Sequence, residues 1–353
     1  MSFENRIAEI DPNFKVNEAF GRDDVLLRSC RTAPFSVHGV FHDGTCFRRM
    51  PKEVAEGISP KIASLVMHTA GGRVRFRTDS PFVAVRLVSA GLGRMPHFAL
   101  TGSAGLDLYA DGVYRKTFMP PLDKNSFSGI VELGERKMRE ILIEFPLYSR
   151  VNELEIGLLP DAALLSPTPY RHATPAVFYG SSITQGGCAS RPGTCYQGFV
   201  SRHFDLDYIN LGFSGNALGE QAMAEYIAGI PMSVFFMDYD NNPPTVEHLR
   251  STHEPFFLTV RKAQPDLPVI MMSRPKPARI LCDWEVERRE VIRTTYENAR
   301  ARGDRNVYFI DGETLTALCG NEGTVDGCHP TDFGFFSTAR ALIALCEREG
   351  ILS

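Results

Sequence analysis

Four short polar clusters in the second half of this 353-residue chain carry groups able to move a proton or steady an anion. Asp326-Gly-Cys-His-Pro330 sets a carboxylate three residues before an imidazole. In a loop, that spacing lets the carboxylate orient the ring and stabilise its protonated form, the support a serine needs to lose its proton near neutral pH. Gly180-Ser-Ser-Ile-Thr-Gln-Gly186 offers such a hydroxyl at a strand-to-helix turn, where backbone N–H groups can face a developing oxyanion. It is not a GxSxG elbow, which argues against the ordinary α/β-hydrolase arrangement. Asn210-Leu-Gly-Phe-Ser-Gly-Asn216 contains Gly215, which lacks a Cβ and can bring its N–H close to a ligand. Asp238-Tyr-Asp-Asn-Asn-Pro243 contains asparagine amides that can donate to an oxyanion without adding a competing charge. Each cluster alone also reads as an ordinary turn or cap. Their order and their placement after strands make the joint pattern chemical.

Those placements follow from the surrounding grammar. After Pro160 a proline-containing stretch, Ala162 to Pro175, reads as a linker. Beyond it, apolar strands are expected at Ala176–Tyr179, Tyr208–Leu211, Ser233–Asp238, Val269–Ser273 and Val307–Asp311. They alternate with helical patterns at Leu218–Ala228, Thr245–Ala263, Asp283–Arg302 and Asp332–Arg348, the last with Asp332 as its N-cap. This alternation predicts an α/β, three-layer, doubly wound parallel sheet, whose ligands gather at the carboxyl ends of the strands. The first half differs. Arg73–Thr78, Phe82–Val88, Leu106–Ala110, Val113–Phe118, Ile141–Phe145 and Glu153–Leu158 read as short strands, with Asp111-Gly112 as a hairpin turn. Many strands and few helices predict an N-terminal β-sandwich, jelly-roll-like in form. The expected division is 1–165 and 166–353.

The bulk numbers describe an ordinary globular protein, 43% apolar and 23% charged. A net charge of −4 argues against a nucleic-acid partner. The N-terminus, MSFENRIAEIDPNF, is charged where a signal peptide would be apolar, and no run approaches the length of a membrane span. The expectation is a cytoplasmic protein with no membrane partner. Its eight cysteines form no CxxC pair, so tetrahedral zinc spacing is missing and reduced thiols are expected; a Cys188–Cys195 bridge fits the spacing but not the compartment.

In order and placement the four clusters resemble the SGNH (GDSL-like) hydrolase family over roughly Pro175 to Arg348. The resemblance implies Ser182 as nucleophile, because the family's serine is third in Gly-Asp-Ser; Ser181 stands in the usual Asp place. It implies His329 as base, Asp326 as its orienting acid, and an oxyanion hole made by the Ser182 and Gly215 amides with an asparagine side chain. Counting from Asp238 favours Asn242 for the last, with Asn241 left open. Gly105-Leu-Asp-Leu-Tyr109, preceded by Met95-Pro-His-Phe98, resembles the GxDLY module found before some SGNH hydrolases. The two-domain arrangement resembles carbohydrate O-deacetylases. The implied function is a serine esterase acting on small acyl, above all acetyl, esters of a small molecule or oligosaccharide, with no cofactor or metal required. A general short-chain esterase, thioesterase or lysophospholipase is the second reading, and a carbohydrate-binding protein with a relic hydrolase domain the third. An oligomer is left open. His97 and Asp107 read first as structural, a loop histidine and a hairpin pin; Arg274 reads equally as a substrate contact or an ion pair, and Trp284 as packing at a helix start.

Overall fold

Alternating apolar residues in the first half build two antiparallel sheets that face each other. One runs Leu26–Ser29, Glu153–Leu158, Phe82–Val88, Phe127–Glu132; the other runs Leu164–Leu165, Arg73–Thr78, Arg139–Glu144, Leu106–Ala110, Val113–Phe118, with Ser36–His38 also on Arg73–Thr78. Their inner faces share one core, with Val83, Val85 and Ile156 on one side and Val74, Phe76, Leu108 and Ile143 on the other. This is the expected sandwich. Asp111 and Gly112 both have positive φ (52° and 75°), the primed turn that matches strand twist. The computed structural model describes residues 10–11 and 20–352, so most of the N-terminal stretch read above lies outside the described residues. Among the described residues no helix is long and apolar enough to cross a membrane.

The second half forms a parallel sheet of β1 (Ala176–Gly180), β2 (Tyr208–Gly212), β3 (Val234–Asp238), β4 (Val269–Met272) and β5 (Val307–Ile310), in the order β2-β1-β3-β4-β5. The strands are apolar on both faces because helices cover both. Phe178, Phe236 and Ile270 point to one layer, with Tyr196, Val200, Phe335 and Leu342. Val177, Phe235 and Met271 point to the other, with Met223, Phe256, Phe257 and Ile292. The helices are α1 (Ser182–Gln185), α2 (Tyr196–Phe204), α3 (Gln221–Ala228), α4 (Val246–Ala263), α5 (Asp283–Ala301), α6 (Gly312–Leu315) and α7 (Asp332–Glu349). The strand order reverses direction beside β1, the switch point where such sheets open a crevice.

Three expectations change. Asp332 is the first residue of α7 rather than its N-cap, which is Thr331. Its carboxylate instead accepts from the Ser190 amide (2.8 Å) and the Thr194 hydroxyl (2.6 Å), holding the loop after α1. The stretch after Pro160 is not all linker: Leu164–Leu165 pairs with Arg77–Thr78, and Tyr170 lies under the Arg75 guanidinium. The first half also contains helices, Lys52–Ile58 and Pro60–Leu65, and these leave the sandwich. Their buried Ala55 and Ile62, with Met50 and Val66, join the core that holds Leu211, Phe213 and Met223 of the second half. All eight cysteines are free, Cys188 and Cys195 included.

Candidate active site

Gly180 ends β1, and Ser181 caps the next turn by accepting from the Ile183 amide (3.1 Å). That places Ser182 first on α1, half-buried just past the carboxyl end of β1. The turn closes at Gly186, whose φ of 98° favours glycine. The Ser182 Oγ lies 2.9 Å from His329 Nε2. On the far side of the ring, His329 Nδ1 lies 2.7 Å from Asp326 Oδ2. A carboxylate only accepts, so Nδ1 carries the hydrogen and Nε2 presents its lone pair to the serine. Asp326 Oδ1 takes the amides of Cys328 (3.0 Å) and His329 (2.7 Å), which fixes the carboxylate in the loop before α7. Partial burial raises the Asp326 pKa, but these amide and imidazole hydrogens outweigh it and hold the group below the usual carboxylate range. The group is thus an anion at neutral pH.

The loop after β2 is tied to the serine turn by the Ser214 amide, which donates to the Gln185 side chain (3.0 Å). Gly215 has φ 68°, a left-handed conformation that a glycine adopts freely. Among the described residues neither the Ser182 amide nor the Gly215 amide has an internal acceptor. Asn242 Oδ1 accepts from the Ala217 amide (3.2 Å), which joins the two loops and leaves Asn242 Nδ2 without a partner among the described residues. Asn241 is committed elsewhere: its Oδ1 accepts from Arg274 Nε (2.8 Å), and its Nδ2 is buried without a partner. Of the two asparagines left open above, Asn242 is therefore the one tied to the glycine loop. Unpaired amide hydrogens of this kind can hold an oxyanion where they converge beside a hydroxyl.

Residues that sequence reasoning passed over support this frame. Gln185 bridges the loops, accepting from the Ser214 amide (3.0 Å) and donating to the Leu147 carbonyl (3.3 Å). Tyr148, from the sandwich half, donates to the Ser182 carbonyl (3.1 Å). Arg49 is buried and donates to the carbonyls of Gly212 (2.6 Å) and Leu65 (2.8 Å); burial without a carboxylate lowers its pKa to about 9. Only Gln185 had a local signal, as a polar residue inside the serine turn. Tyr148 and Arg49 reach the serine and glycine loops from 34 and 163 residues away in sequence.

Asp107 is fully buried. It pins the hairpin through Thr117 (2.7 Å), as expected, and it also accepts from Arg191 (2.7 Å) and the Gly193 amide (2.8 Å) in the loop after α1. His97 is exposed, yet its ring lies 6.0 Å from that of His329. Arg274 pairs with buried Glu285 and lies 5.0 Å from the Trp284 ring. Arg274 is also part of the wall of a cavity of about 170 Å³ beside Asp326 and Ile183, with Asn241, Lys276 and Glu285.

Residues 173–346 match the GDSL-like lipase/acylhydrolase family. The second half of the chain belongs to that family. Residues 29–164 match the GxDLY domain, the N-terminus of SGNH-hydrolase-type esterases, so both parts of the chain are accounted for. The chain is a hydrolase with esterase or acylhydrolase character. A protein from Bacteroides ovatus described as a GDSL-like lipase is similar over 92% of this chain and 98% of its own, at 27% identity and a TM-score of 0.82. A salicylyl-acyltransferase from a tetracycline biosynthetic pathway shares the fold over 94% of this chain and 99% of its own (21% identity, TM-score 0.77). So does a family two carbohydrate esterase from Clostridium thermocellum, solved with cellohexaose, over 80% of this chain and 94% of its own (14% identity, TM-score 0.59). No curated protein matches.

Proposed function

We propose that this GDSL-like hydrolase is a serine esterase that removes small acyl groups, acetyl foremost, from carbohydrate alcohols. The observation that carries the reading is the contact chain Ser182 Oγ to His329 Nε2 (2.9 Å) and His329 Nδ1 to Asp326 (2.7 Å). Ser182 attacks the ester carbonyl while His329 accepts its proton, and the Asp326 carboxylate steadies the imidazolium. The amides of Ser182 and Gly215 and the Asn242 side chain donate to the tetrahedral oxyanion. His329 then protonates the departing alcohol. Water, deprotonated by the same ring, releases the acyl group and restores the serine.

The carbohydrate part rests on the small polar cavity beside Asp326, lined by Asn241, Arg274 and Lys276. Its donors suit a hydroxyl-bearing alcohol better than a long acyl chain. The fold shared with a carbohydrate esterase bound to an oligosaccharide points the same way. The test is hydrolysis of a generic acetyl ester and of acetylated oligosaccharides by wild type and Ser182→Ala, with circular dichroism on both. Loss of turnover in a folded variant supports the serine mechanism. Faster turnover as the acyl chain lengthens would replace the acetyl reading with a lipid-directed one.

A further inference from the structure

The histidine proposed as base has two neighbours that the reaction does not use. His97, Cys188 and His329 each bring one ligand atom to a common point, all within 4.8 Å of one another. Nδ1 of His329 is occupied by Asp326, so its contribution is Nε2. The three residues come from three separate places: His97 from a loop of the sandwich half, Cys188 from the turn after α1, and His329 from the loop before α7. Each is held by its surroundings. His97 precedes Phe98, which is buried against Tyr148 with ring centroids 5.2 Å apart. Cys188 has φ 73°, a backbone conformation that a cysteine rarely adopts, directly after Gly187. A Cβ built on Gly187 would sit 3.5 Å from His329 Cδ2, the carbon beside Nε2, so this turn passes under the ring's working edge.

We propose that His97, Cys188 and His329 form a zinc site that switches the esterase off. Two imidazoles and a thiolate are a donor set that zinc favours, and tetrahedral zinc with three protein ligands keeps a fourth position for water or the Ser182 hydroxyl. With bonds of about 2.0 Å to nitrogen and 2.3 Å to sulfur, the donors would stand roughly 3.3–3.7 Å apart. Closing from separations of up to 4.8 Å asks for about 1 Å of movement, shared between the exposed His97 side chain and the Cys188 side chain while the backbone stays in place. On binding, the Cys188 thiol gives its proton to water as the sulfur–zinc bond forms. His329 Nε2 gives its lone pair to the metal. Asp326 stays on Nδ1 and orients the ring toward zinc, as carboxylates behind ligating histidines do. The lone pair that would accept the Ser182 proton is then occupied. This inhibition rests on His329 being the base; the binding itself does not.

The experiment has two readouts. Cobalt(II) titrated into the metal-free full chain should bind once per chain, with a near-ultraviolet thiolate charge-transfer band that disappears in Cys188→Ser. Zinc should lower acetyl-ester turnover more than tenfold, with recovery on chelation, and the zinc concentration needed should rise at least tenfold in His97→Ala and in Cys188→Ser. His97 is exposed, so its variant is a test independent of any folding defect in the other. A cobalt complex lacking the thiolate band, or zinc inhibition unchanged in both variants, overturns the site. Were wild type inactive on every ester, the cobalt spectrum would still decide the metal site, so the two readings fail separately.

Discussion

Replacing Asp326 by Asn keeps the side chain's shape and removes its charge. Asparagine Oδ1 can still accept the Cys328 and His329 amides that Asp326 Oδ1 accepts, so the loop should persist. Its Nδ2 then points at His329 Nδ1, where it favours the tautomer with hydrogen on Nε2. That tautomer donates to Ser182 instead of accepting from it. Restoring the working tautomer costs one hydrogen bond, about 1–1.5 kcal/mol. The imidazolium also loses its anion. Charge centres roughly 4 Å apart attract by about 4 kcal/mol at an effective dielectric of 20. The two side chains are 26% and 38% exposed, and solvent screening reduces this to about 2 kcal/mol. Together these remove roughly 3 kcal/mol of transition-state stabilisation, about 10²-fold in kcat. The assay is kcat on an acetyl ester, with circular dichroism and Tm as controls on the fold. A folded Asp326→Asn within threefold of wild type would refute the role of the carboxylate. A loss as deep as that of Ser182→Ala would refute the screening argument.

Asn242→Ala should lower kcat by about 10²–10³ with little change in KM. Asn241→Ala, whose amide is tied to Arg274, should cost much less; the reverse order of effects would exchange the two roles. Gly215→Ala meets no atom within 4 Å, so its cost is the left-handed backbone alone, about 1–2 kcal/mol, read as a lower Tm together with lower kcat. Burial raises the Glu285 pKa, but Lys276, the Cys282 amide and Arg274 outweigh it and bring it down to about 2. Its stabilising contribution is therefore complete above the usual glutamate value and is lost as pH falls toward about 2. Between about pH 5 and about pH 3, urea denaturation should show Glu285→Gln losing about 2 kcal/mol less than wild type; equal losses would contradict the ion pairs. Asp107→Ala strands the Arg191 guanidinium and the Gly193 amide, and should destabilise the chain by about 3–5 kcal/mol in the same assay.

The parallel sheet was legible because its strands are short apolar runs between strongly periodic helices. Most sandwich strands were legible from alternation, and Arg73–Thr78 and Phe82–Val88 fall where their patterns put them. Phe127–Glu132 escaped because Gly129 interrupts its pattern; that glycine faces the Phe118 ring, where a Cβ would come within 2.7 Å. The helices Lys52–Ile58 and Pro60–Leu65 escaped for a different reason. They are short, and their apolar faces answer to a sheet far along the chain rather than to local neighbours. The meeting of Ser182, His329 and Asp326 was anticipated by motif order. Tyr148, Arg49 and Gln185 show what such order does not encode, namely the buried polar bonds that hold the loops in place.

Those two helices also bear on how the chain is made. Arg49 and its acceptor Gly212 are 163 residues apart, and the apolar ridge formed by Met50, Ala55, Ile62 and Val66 is covered by Leu211, Phe213 and Met223. A ribosome adding about 5–20 residues per second delivers that cover on the order of ten seconds after the ridge has emerged. For that interval the newborn first half carries an uncovered apolar strip that the finished molecule conceals. Aggregation during expression would arise there, so slower synthesis at the same temperature would not relieve it, whereas a chaperone that holds apolar segments until the second half arrives would.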